Sequence, residues 1–197
     1  MNRMIRLIVP AVVAMALVVG CEHMPWHKDK NESKKMGGEG AMKTAVAEIA
    51  PAKAASTRPA WGKPAGAITF MQMDEKVHIT GEITGLPPGK HGIHIHEKGD
   101  LSAPDLMSTG GHYNPDKHIH GGPSTSPVHA GDLGNLTADS SGKATIDLTV
   151  DDISVGGAKN DILGKAVIIH AREDDFKSQP AGNAGARIAG GVIEMRK

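Results

Sequence analysis

Beyond Thr44, apolar and polar residues alternate with a period of two, and no stretch carries the 3.6-residue period of a helix. The alternation predicts strands over Thr44–Pro51, Ala67–Met73, Lys76–Leu86, Gly92–Lys98, Asn135–Ala138, Ala144–Val150, Ala166–Ala171 and Ile188–Met195. The third is the clearest, with Val77, Ile79 and Ile83 on one face and His78, Thr80, Glu82 and Thr84 on the other. In the fourth, Ile93 and Ile95 share one face while His94 and His96 share the opposite face. A loose Ala/Pro connection runs from the first strand to Pro64. Pro87-Pro88-Gly89 is a turn, and Ser140-Ser141-Gly142 predicts a hairpin between the fifth and sixth strands. Two segments break the spacing. Gly99–Gly131 spans about thirty residues without either period, a length that is uncommon in a compact domain and usually functional; Arg172–Arg187 is a shorter one. Short strands, turn-rich links and no helix predict an all-β fold, an antiparallel sandwich or barrel.

The front of the chain has a different pattern. Arg3 and Arg6 precede an apolar run from Leu7 to Gly20, too short to span a bilayer and interrupted by Pro10. A basic start, an apolar middle and small residues at the end are the pattern of an export signal over residues 1–20. Val18-Val19-Gly20-Cys21 resembles the lipobox of bacterial lipoproteins, which makes Cys21 the expected lipidation site and membrane attachment point. Residues 21–43 are polar and rich in Lys, Glu, Gly and Met, a composition too poor in apolar surface to offset chain entropy, and they are expected to form a disordered tether. Residues 44–197 are then the folded domain. The chain has 1 cysteine in 197 residues, so lipidation of Cys21 leaves no thiol for a disulfide. With a formal net charge of zero, nothing global points to nucleic acid.

The candidate chemistry lies in the long loop and the strands beside it. Gly92–Asp100 reads G-I-H-I-H-E-K-G-D, Gly110–Pro115 reads G-G-H-Y-N-P, Ile119–Pro123 reads I-H-G-G-P, and Val128–Asn135 reads V-H-A-G-D-L-G-N. His94, His96, His112, His120, His129 and Asp132, joined by the distant His170, are enough to hold two metal ions. Imidazole and carboxylate donors of this kind suit ions such as Zn(II) and Cu(II).

In the order and spacing of these motifs the chain resembles a bacterial copper/zinc superoxide dismutase, from about Thr44 to Glu194. The resemblance implies an eight-stranded antiparallel Greek-key barrel with a long metal-binding loop and a shorter electrostatic loop. It implies that His94, His96, His112 and His170 bind a copper ion, that His112, His120, His129 and Asp132 bind a zinc ion, and that His112 bridges the two. Copper would then be alternately reduced and oxidised while superoxide is converted to oxygen and hydrogen peroxide, with zinc structural. Arg187 matches the arginine that docks the anion, Asp174 the carboxylate that links His94 and His120, and Lys177 is a candidate for steering superoxide. His91 and His118 match no ligand position. Family members dimerise through different faces, so a homodimer is compatible with the resemblance without being located by it. The implied place is the cell envelope, as an exported lipoprotein in the periplasm, anchored to the outer membrane in a Gram-negative cell. A tethered store or donor of copper and zinc with little turnover is the competing reading.

One family feature is missing. The disulfide that normally ties the long loop to the last strand has neither half here: Leu101–Gly110 contains no cysteine, and Gly190 stands three residues past Arg187. Zinc binding is expected to take over much of the loop's ordering.

Overall fold

The structure, a computed structural model, describes residues 42–197; the predicted export signal, Cys21 and nearly all of the predicted tether lie outside the described residues. Eight strands are present among the described residues: β1 (Thr44–Pro51), β2 (Ala65–Met73), β3 (Lys76–Thr84), β4 (Gly89–His96), β5 (Asp132–Ala138), β6 (Ala144–Val150), β7 (Ala166–His170) and β8 (Arg187–Met195). They form one antiparallel sheet in the order β5-β4-β7-β8-β1-β2-β3-β6, curled into a nearly closed barrel. The predicted all-β fold with eight strands is the one observed.

The predicted hairpin is not. A turn does join β5 and β6, with Asp139 and Lys143 paired through their backbone at 2.9 Å. But β5 bonds only to β4 and β6 only to β3, so the two strands are the opposite ends of the sheet. The turn folds inward instead, its Gly142 carbonyl accepting from the Leu86 amide at 3.1 Å. Alternation reveals that two strands exist; it does not say with which strand each pairs. Strand bounds differ by one to three residues as well, most at the fourth and fifth strands. The fourth strand begins at Gly89 and ends at His96, and the fifth begins at Asp132, because pairing across β4 and β5 runs from Gly89 opposite Ala138 to His94 opposite Asp132. The link after β1 is also more ordered than expected, with 3-10 turns at Lys53–Thr57 and Pro59–Trp61.

Inside the barrel, Ile, Val, Leu and Ala side chains surround Phe70, with Ile68, Ile79, Ile93, Val167 and Ile193 fully buried. Each such side chain contributes roughly 1.5–3 kcal/mol on burial. The strands that carry the site are buried on both faces. On β7, Val167 and Ile169 face the barrel core, while Ala166 and Ile168 face outward into a second apolar cluster. That cluster is closed by Ala52, just before the first 3-10 turn, by Ala55 within it and by Leu106 from the long loop. Leu106 lies beside Gly190: a Cβ added there would stand 3.4 Å from Leu106 Cδ1 and 2.7 Å from Ile168 Cδ1. An apolar peg therefore joins the long loop to β8 where no disulfide does.

Candidate metal centre

The site lies on the outer face of the barrel, and strand pairing assembles it. His94 pairs with Ile168 and His96 with Ala166, so both imidazoles project to the side of β4 and β7 away from the core. His170 ends β7 opposite Arg187 at the start of β8. The long loop turns back alongside β4. Its His112 forms an isolated bridge with His96, and Tyr113 N donates to Ile95 O at 2.8 Å. His129 and Asp132 lie where the loop enters β5, and Asp132 faces His94 across the ladder. His120 is held by Gln179 of the second loop. The His120 amide donates to Gln179 Oε1 at 2.9 Å, and Gln179 Nε2 donates to the His120 carbonyl at 3.0 Å.

The outcome is two buried groups of four donors that share His112. One is His94, His96, His112 and His170; the other is His112, His120, His129 and Asp132. In each, the donor atoms lie within 4.8 Å of one another. In the second group, Asp132 reaches His112 Nδ1 at 2.8 Å, His120 Nδ1 at 3.0 Å and His129 Nδ1 at 3.3 Å. His112 stacks on His94 with ring centroids 3.9 Å apart.

The far nitrogens set the chemistry of the near ones. His94 Nε2 donates to Asp174 Oδ2 at 2.7 Å, His96 Nδ1 to the Gly110 carbonyl at 3.0 Å, and His170 Nδ1 to the Gly185 carbonyl at 3.1 Å. His120 Nε2 donates to Asp174 Oδ1 at 2.9 Å. At His94, His96 and His170 the proton is thus committed outward, and a lone pair is left pointing into the group. His94 Nδ1, His96 Nε2, His112 Nε2 and His170 Nε2 are buried with no hydrogen-bond partner, and His120 Nδ1 and His129 Nδ1 face only Asp132. Four such bare nitrogens would carry a heavy desolvation cost unless something accepts their lone pairs. The donor sets fit a tetragonal four-imidazole ion and a tetrahedral ion with one carboxylate.

Electrostatics divides the two groups. Burial pushes His94 down to about 4, and it pushes His96 and His170 further below the ordinary imidazole range, with the His112 ring adding to the effect at all three. These rings are neutral at pH 7. Burial opposes charge on His120 too, but hydrogen bonds to Asp132 and Asp174 outweigh it and raise that ring to about 9. Burial alone would raise Asp132 and Asp174. Hydrogen bonds from the His112 and His120 rings hold Asp132 well below the usual carboxylate range, and those from the His120 and His94 rings do the same for Asp174.

The remaining expected residues take clear positions. Asp174 spans His94 and His120 and is itself clamped by Asn135, whose Oδ1 accepts from the Asp174 amide at 2.8 Å. Arg187 lines an open cavity of about 760 Å³ together with His96, His112 and His170. Its Nη1 donates to Leu106 O and Thr109 Oγ1, and its Nη2 to Gly110 O, each at 2.8 Å. Lys177 is exposed and is not among the residues lining that cavity. His118 stays outside both groups, its Nδ1 3.1 Å from the Val128 carbonyl. His91, given no role from the sequence, is 2% exposed and bridges the Pro87 and His170 carbonyls at 2.8 Å each, tying the turn before β4 to the end of β7. Its place two residues before Ile93, on the core-facing side, was the signal for burial. Thr109, Asn135 and Gln179 also support the site, and nothing in their spacing marks them.

Comparison with known proteins agrees with this geometry. The family profile described as copper/zinc superoxide dismutase (SODC) matches residues 64–193. The chain is 47% identical over 139 residues to a protein of Drosophila melanogaster named extracellular superoxide dismutase [Cu-Zn], covering 66% of this chain and 76% of that one. It is 43% identical over 137 residues to the protein of the same name from Haemonchus contortus, covering 66% and 74%. Among solved structures, the crystal structure of the clock protein EA4 superposes with a TM-score of 0.68 at 42% identity, over 81% of this chain and 98% of that one. With a profile that spans most of the barrel and relatives at this level of identity, the chain belongs to the copper/zinc superoxide dismutase family.

Proposed function

We propose that the chain dismutes superoxide, converting two superoxide ions and two protons to oxygen and hydrogen peroxide, with copper held by His94, His96, His112 and His170 and zinc by His112, His120, His129 and Asp132. Copper when bound supplies the one-electron couple, and zinc supplies a fixed dication without redox chemistry. The protein's own part is to place charge and protons. Arg187 puts a cation on the cavity wall beside His96 and His170, where it attracts and orients an anion. His112 Nε2, buried and without a partner, is the atom suited to take up and return one proton per cycle, while Nδ1 stays on the zinc side facing Asp132. Asp174 accepts the Nε2 hydrogen bond of both His94 and His120 and so orients Nδ1 of each ring toward its donor group. The observation that carries this assignment is the sharing of His112 by two buried donor groups.

The test is superoxide consumption by copper- and zinc-loaded protein. Arg187→Ala should lower the second-order rate about tenfold or more, and His112→Ala should lower it further. A protein that binds both metals but turns over no faster than free buffer, with Arg187→Ala unchanged, would instead be the store or donor.

Residues 1–20 as an export signal, residues 21–43 as a tether from lipidated Cys21 and residues 44–197 as the enzyme domain complete the proposal. The Leu7–Gly20 run and the Val18–Cys21 motif support it, and the two relatives are named extracellular. Labelled fatty acid should enter the wild-type protein and not Cys21→Ser; equal labelling of both would overturn the anchor.

A further inference from the structure

Thr109 lies on the last 3-10 turn of the long loop, Met107–Thr109, three residues before His112, and is fully buried. Its hydroxyl occupies a junction. The O–H donates to the Leu106 carbonyl at 2.8 Å, which uses its single proton. Oγ1 accepts from Arg187 Nη1 at 2.8 Å and lies 3.3 Å from His96 Nδ1. The Gly110 carbonyl makes a parallel link, accepting from Arg187 Nη2 at 2.8 Å and from His96 Nδ1 at 3.0 Å. Neither acceptor has a proton to offer His96, so the proton between them belongs to Nδ1. Nε2 is then the bare nitrogen facing the copper group. Of the two links only the hydroxyl belongs to a side chain, and so only it is a choice of residue.

We infer that the Thr109 hydroxyl is a positioning residue that locks Arg187 to His96, fixing the anion-docking guanidinium relative to the copper ligand. The inference rests on the role proposed above for Arg187. Three geometric facts support it. Arg187 Nη1 has two acceptors, Leu106 O and Thr109 Oγ1, so the hydroxyl sets the in-plane angle of the guanidinium as well as its distance. The hydroxyl is sealed from solvent, so no water can take its place at no cost. It also donates to the same Leu106 carbonyl that Arg187 uses, closing a three-membered network in which each partner restrains the other two.

The probe is azide, a small monovalent anion, titrated into copper- and zinc-loaded protein and followed by its absorption band with copper. Thr109→Val keeps the shape and removes the hydroxyl; Thr109→Ser removes the methyl and keeps the hydroxyl. Thr109→Val should bind azide about tenfold more weakly and lose superoxide rate in parallel, with copper and zinc content unchanged, as expected when a charged donor loses a buried acceptor. Thr109→Ser should stay within about twofold of wild type. Should Thr109→Val fail to retain metal, Thr109→Ser against Thr109→Ala gives the same comparison, since these two differ only in the hydroxyl. Equal losses with and without the hydroxyl would assign the effect to packing and overturn the inference. If Arg187→Ala weakens azide while Thr109→Val does not, Thr109 has no positioning role and the reading of Arg187 stands. An Arg187→Ala variant that binds azide as wild type does would remove both.

Discussion

His120 differs from the other imidazoles in having a carboxylate at each ring nitrogen, Asp132 at 3.0 Å from Nδ1 and Asp174 at 2.9 Å from Nε2. The metal-free ring is therefore raised to about 9, against burial, and holds its proton at pH 7. Zinc must displace that proton, so zinc affinity should rise up to about tenfold per pH unit from 7 towards 9 and then level off. His94, His96 and His170 are already neutral there, and copper affinity should change much less across the same range. Competition titrations with a chelator at several pH values check the difference; parallel pH slopes for both metals would contradict it. Gly182 shows how closely the Asp174 link is built. It has φ 64, and a Cβ there would collide with Asp174 Oδ1 and His120 Nε2. Gly182→Ala should thus disturb His94 and His120 together and weaken retention of both metals, by about 10–100-fold for loss of such an outer partner. Equilibrium dialysis measures it. At this scale the donors were legible because histidine and aspartate stand in recognisable motifs and because parity put His94 and His96 on one face. Thr109 and Gln179 were not, since a polar residue in an aperiodic loop gives no sign of what it will meet until the loop is folded; Asn135 lies on a strand, but its partner Asp174 comes from such a loop.

Among the elements, the long loop and β8 are joined where Leu106 packs beside Gly190. Leu106 has φ 60, a left-handed backbone that costs about 1–2 kcal/mol for a residue with a side chain. Its burial at 5% exposure, against Ala52, Ala55, Ala166 and Ile168, must offset that cost. The same residue's carbonyl receives Arg187 Nη1 and the Thr109 hydroxyl, so peg and anion dock are one piece of chain. Leu106→Ala should destabilise the protein by about 2–5 kcal/mol, the usual range for a buried leucine. It should also lower the superoxide rate at full metal loading, because the carbonyl loses its anchor. Chemical denaturation and rate measurements on the same preparation test both; a stability loss with an unchanged rate would separate the peg from the site. Strand existence was readable from alternation, most plainly in β3, where Val77, Ile79 and Ile83 are all fully buried. Partnership was not. The turn at Ser140–Gly142 looks like a hairpin, yet β5 and β6 pair with different neighbours: β4, paired with β7 on one backbone edge, offers its other edge to β5, and β3, paired with β2, offers its other edge to β6. Leu106 is illegible for a related reason: one leucine in an aperiodic loop has no periodicity to declare it buried.

For the whole domain, two kinds of cohesion compete for the long loop. The peg at Leu106 and the pairing around His112 hold its first half to the barrel without metal. Its second half carries His120 and His129, whose inward nitrogens both converge on the one carboxylate of Asp132. The sole cysteine of the chain is Cys21, so residues 42–197 contain no thiol to cross-link. Metal binding is then the cross-link available to the loop, and a ligand that prefers the native state and is present at about a thousand times its dissociation constant contributes up to about 4 kcal/mol. In a domain of this size that corresponds to a shift of roughly 10 °C in melting temperature. Removing zinc and copper with a chelator should lower the melting temperature by about that amount or more. The barrel should still melt cooperatively, because its core of Ile, Val, Leu and Phe70 involves no metal ligand. Thiol reductant should leave the curve unchanged, with or without metal. Differential scanning calorimetry of loaded, chelated and reductant-treated protein distinguishes the cases. A melting temperature indifferent to chelation would mean that the peg and the loop's own hydrogen bonds suffice, and that zinc has no part in ordering the loop.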